Sequence, residues 1–120
     1  MTGSGALERT DWQTALEEIT DEHWGHLVSI EVLDPSLGDQ YEAERLPFSS
    51  LAYDPKDDVV IVAVGGKPPR YPVVLRHMVP HPAEIDVAVR DAAEDAVRVV
   101  PPEGAPTLIT FHRAESGPAA

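Results

Sequence analysis

The sequence predicts a mainly β fold with one N-terminal α-helix, on three observations. One amphipathic stretch near the start keeps helical spacing, the hydrophobic period changes to two from His26 onward, and clusters of turn residues then recur about every 8 to 12 residues. A helix followed by several short strands fits a small antiparallel β-barrel of the Sm-like or SH3-like kind, or a sandwich, with the helix over one open end. The alternative is an α+β arrangement, an open antiparallel sheet with the helix packed on one face. Strands do not alternate with helices, which disfavours a nucleotide-binding α/β fold.

The helix is predicted from about Thr10 to His23, because Trp12, Ala15, Leu16 and Ile19 recur on one face. Thr10 and Gln13 have capping-box spacing, Asp11 suits the positive end of the helix dipole, and Gly25 is the stop. Val28, Ile30 and Val32 then alternate with Leu27, Ser29 and Glu31, the pattern of a half-buried strand. "DPSLGD" ends it. A weaker strand over Tyr41 to Leu46 is expected to break at Pro47 and resume at Leu51 to Tyr53, before the turn "DPKDD". "VVIVAV", residues 59–64, is apolar throughout and β-branched at five of six positions, so it is expected at the centre of the sheet. Val73 to Val79, Ile85 to Val89, Ala96 to Val100 and Thr107 to His112 supply the remaining strands. The predicted core is Trp12, Leu16, Ile19, Val28, Ile30, Val60, Val62, Leu75, Val87, Val97, Ile109 and Phe111.

At 120 residues the chain suits one domain, expected over 10–113 between a flexible N-terminus, 1–9, and a flexible tail, 114–120. The formal charge is −12, and residues 1–60 carry 14 acids against 3 bases. Such a field repels phosphate backbones and anionic lipid, so neither nucleic acid nor membrane is an expected partner. There is no cysteine, which removes disulfides, thiolate catalysis and Cys-ligated metals. No signal-like or membrane-spanning run stands out, and a cytoplasmic protein is expected.

An early Trp on a helix (Trp12), Gly25 before "VSIEV" (28–32), "RLPFSSL" (45–51), a His–Pro strand (His77, Met78, Pro80, Pro82) and a closing "TLITF" (107–111) run through most of residues 11–113. In these the chain resembles a bacterial family catalogued as domain of unknown function fifty-three thirty-five. The resemblance implies a small bacterial domain and carries over no catalytic residue.

Among candidate sites, His77, His81 and Glu84 would make a metal site only if their ligand atoms converged. Pro80 and Pro82 forbid the helix on which His77 and His81 would align. On a strand, His77 shares a face with Val73, Leu75 and Val79, so it is read as a framework residue whose ring bonds a nearby acceptor. His81 is read as a solvent-facing corner residue. "DEHWGH", residues 21–26, is a second acid–histidine cluster, and His23 there is explained by the cation preference of a helix C-terminus. Lys67, Arg70 and Arg76 lie in a stretch without acids, 59–83, a candidate patch for an anion or a partner. No nucleophile, catalytic pair or cofactor motif is found. The leading reading is a non-enzymatic binding or assembly module, with a protein partner or self-association. A small metal-dependent enzyme or metal-binding protein using His77 and His81 comes second, and an RNA-binding Sm-like domain third.

Overall fold

Residues 5–65, 75–91 and 94–112 are described in the computed structural model of the chain. Among these residues eight antiparallel strands form one sheet: β1 (Gly5–Ala6), β2 (Leu27–Asp34), β3 (Gly38–Asp54), β4 (Val59–Val64), β5 (Leu75–Pro80), β6 (Glu84–Asp91), β7 (Glu94–Val100) and β8 (Thr107–His112). Their spatial order is β1-β6-β7-β8-β2-β3-β4-β5. A short 3-10 turn, Arg9–Asp11, leads into α1 (Trp12–His23), the one α-helix among the described residues. Within the expected N-terminus, 1–9, β1 pairs Gly5 with Val87 and Ala6 with Asp86 of β6.

The open-sheet alternative is the one that fits, and the barrel expectation is corrected. Closure would require the outer strands, β1 and β5, to pair, and β1 is two residues long while β5 ends in Pro80. Two residues are too few for a ladder, and β1 and β5 stand at opposite ends of the order without pairing. His81, with φ 52°, then turns the chain away towards β6. The sheet is nonetheless folded over, because His77 of β5 reaches Thr107 of β8 from across the interior.

The "VVIVAV" strand is β4, and it lies one place in from the end of the sheet, between β3 and β5, instead of at its centre. Burial on both faces reports the layers above and below a strand, not its rank within the sheet. Its neighbour β3 is a single strand of 17 residues that runs through Pro47. The proline is tolerated because it sits where β3 stops pairing with β2 and starts pairing with β4, so no ladder donor is missed. Its carbonyl accepts the Gly65 N–H at 2.7 Å. At the helix start the capping-box expectation fails: the N-cap is Asp11, whose backbone is αR (φ −100°, ψ −2°) instead of the extended conformation that aims a capping side chain, and it makes no side-chain cap bond. At the other end Gly25 takes φ 91°, which lets the chain leave the helix for β2.

The interior collects Trp12 and Leu16 from α1 with Val28, Ile30, Phe48, Leu51, Val60, Val62, Val64, Val79, Ile85, Val97, Val99, Ile109 and Phe111. Ile19, Leu75 and Val87 pack against it half-buried. Thr20 fastens the helix to the sheet: its hydroxyl accepts the Leu51 N–H at 3.0 Å and donates to the Leu51 carbonyl at 2.7 Å. That latch lays α1 over β3 and carries its last turn towards β7 and β8.

Candidate functional site

The apolar stripe of α1 runs Trp12, Leu16, Ile19, and the next inward position at that spacing is His23. His23 is accordingly buried, 2 % exposed, and stacks on Phe111 with ring centroids 4.3 Å apart. On β7 the inward positions are Asp95, Val97 and Val99, so an acid also occupies an apolar register, 9 % exposed. These two polar residues meet. His23 Nε2 lies 3.1 Å from Asp95 Oδ2, and His23 Nδ1 lies 3.0 Å from His26 Nδ1. An imidazole nitrogen 3.1 Å from a carboxylate oxygen is an N–H donor in neutral His23, so its Nδ1 accepts the Nδ1–H of His26. His26 is itself held, with its N–H on His23 O and its carbonyl accepting the Phe48 N–H, both at 2.9 Å.

The pair borders a half-open cavity of about 180 Å³ lined by Ile19, Glu22, His23, Val87, Asp95, Ala96, Val97 and Phe111. Its walls are mostly apolar and its chemistry is concentrated at one end, where single ligand-capable atoms of Glu22, His23 and Asp95 lie within 4.8 Å of one another. Among the described residues these are the ones that gather with metal-ligand spacing. A second, larger hollow of about 500 Å³ lies between the turns at Leu33–Ser36 and Gly104–Pro106. The one titratable side chain there, Asp34, already accepts the N–H groups of Ser36 and Leu37.

The residues singled out from sequence go elsewhere. His77 Nε2 bonds Thr107 Oγ1 at 3.1 Å, and burial pushes the ring pKa down. His81, exposed, places Nδ1 3.1 Å from Asp58 Oδ2. Asp58 also accepts the Tyr53 hydroxyl at 2.7 Å, and the hydrogen bonds from Tyr53 and His81 hold its carboxyl below the usual range. Glu84 is pushed up by hydrogen bonding to, and repulsion from, Asp86. The three thus take three different partners. Arg76 is exposed on β5, and Lys67 and Arg70 lie outside the described residues. His23 does sit in the last turn of α1, as the helix-dipole reading has it, and its ring is in addition interior and paired with an acid 72 positions away. Asp95 lies just before the strand expected at Ala96 to Val100, and its phase with Val97 and Val99 is the signal in the sequence that points to it.

Among the described residues no helix is long and apolar enough to cross a membrane. An uncharacterized protein of Aquifex aeolicus (strain VF5) is 31% identical over 99 residues, which cover 82% of this chain and 83% of that protein. No solved structure matches the chain. A family model described as "Family of unknown function (DUF5335)" matches residues 4–120, and the chain belongs to that family.

Proposed function

We propose that this protein is a non-enzymatic binding module whose ligand enters the cavity between the end of α1 and strands β6 to β8. The observation that carries the reading is the cavity itself, an apolar recess with its polar groups converging at one end, as small-molecule sites are built. Its lining offers two carboxyls and an imidazole but no hydroxyl, thiol or amine nucleophile, which favours holding a ligand over attacking one. The polar end suits a cationic or hydrogen-bond-donating head, and the net charge of −12 raises the local concentration of such ligands.

Amide chemical shifts recorded while short alkylamines are titrated into tag-free protein test this. Saturable changes gathered at His23, Val97 and Phe111, and abolished in Val87→Phe or, should that variant fail to fold, in Ile19→Phe, are the expected result. Shifts scattered over the acidic surface, or unaltered by filling the cavity, would refute it.

A further inference from the structure

Within that binding reading, we propose that the polar end of the cavity is a divalent transition-metal site with Glu22, His23 and Asp95 as its protein ligands. Metal bonds of about 2.0–2.2 Å to nitrogen and oxygen place neighbouring ligand atoms roughly 3 Å apart. His23 Nε2 and Asp95 Oδ2 already stand at 3.1 Å, and the third ligand atom, from Glu22, completes a group within 4.8 Å. Glu22 is exposed on the last turn of α1, so a rotamer change is enough to bring its carboxylate onto an ion. Two carboxylates balance the charge of a divalent ion, which a buried imidazole alone does not do.

The His23–His26 contact supplies an independent argument. A histidine that ligates through one ring nitrogen commonly donates its other N–H to a neighbouring acceptor. His26 Nδ1, 3.0 Å from His23 Nδ1, is that acceptor once the tautomers exchange. Without metal, His23 carries its proton on Nε2 and His26 carries its own on Nδ1. With metal on His23 Nε2, the His23 proton resides on Nδ1 and the His26 proton on Nε2. Both rings stay neutral and the proton count is unchanged. The remaining coordination position faces the cavity, where a ligand would complete the shell. An imidazole with two carboxylates suits zinc, cobalt or iron(II) better than the all-oxygen ions.

The experiment is calorimetric titration of chelator-treated, tag-free protein with Zn²⁺, paired with long-range ¹⁵N–¹H spectra of the histidine rings. One Zn²⁺ per chain is expected, with the His23 proton moving from Nε2 to Nδ1. Glu22→Gln should weaken binding at least tenfold while leaving the unfolding temperature of the metal-free protein unchanged. His26→Phe should weaken it by about 10–100-fold, as loss of the outer hydrogen-bond partner does elsewhere. His81→Ala should leave it alone. Absence of stoichiometric binding, or equal affinity in wild type and Glu22→Gln, overturns the assignment. If zinc fails while alkylamines still report on the cavity, the metal site falls and the binding module stands.

Discussion

Two acid–histidine pairs in this molecule share a separation of 3.1 Å and little else. His81–Asp58 lies at the surface corner between β5 and β6, its side chains 73 % and 35 % exposed, while His23–Asp95 lies in the interior at 2 % and 12 %. Both residues of the surface pair have left-handed backbone, Asp58 at φ 55° and His81 at φ 52°. Their pairing ties the β3–β4 turn to the β5–β6 corner, where the His81 N–H also donates to Asp58 O at 2.7 Å. Water can replace every bond that His81 makes. The interior pair has no such substitute, so what is distinctive about it is the solvent it lacks, and equal distances stand for unequal energies.

Removing one partner of each pair tests that contrast most directly. Asp95→Ala leaves the His23 ring buried against Phe111 with its Nε2–H unpaired and should cost about 1–3 kcal/mol of unfolding free energy by denaturant titration. A loss below about 1 kcal/mol would place the pair in contact with water after all. Thr20→Val should cost roughly 1–3 kcal/mol, since it orphans the buried Leu51 N–H, and the loosened helix end should also shift the His23 and His26 ring resonances. His81→Ala should leave the unfolding midpoint within experimental error, at low and at moderate salt alike.

Acidity sharpens the comparison through a third histidine. Burial holds the His77 pKa below the 6.5 of an exposed ring, so the unfolded chain takes up that proton first as pH falls. The resulting stability is fully present above pH 6.5 and is lost as pH drops towards the folded value. His77→Gln should therefore flatten part of the decline in unfolding free energy between about pH 7 and 5. Asp58 acts lower on the scale: its depressed pKa contributes stability above about 3.8 that is lost on further acidification, and Asp58→Asn should flatten that limb alone.

All twelve core residues expected from periodicity either belong to the interior or pack against it. Alternation and helical spacing record which side of an element meets water, and that information is local. The same periodicity also held the candidate site in unread form, since His23 continues the stripe of Trp12, Leu16 and Ile19 and Asp95 continues the phase of Val97 and Val99. A polar residue in apolar register is the signal, and nearby helix-end and turn chemistry masks it by accounting for each residue singly.

What the amino-acid sequence determined by itself was therefore the helix and the main strands in their order, their inward faces, the corner at Pro80 and Pro82, and a net charge of −12. Each follows from propensity, period or composition over a few neighbouring residues. Tertiary structure alone decided that the sheet stays open, that β4 lies near one end and that His23 meets Asp95. Those outcomes depend on which strand finds which partner, and strand order is set by the joint burial of residues far apart in the chain, a quantity that no local pattern encodes.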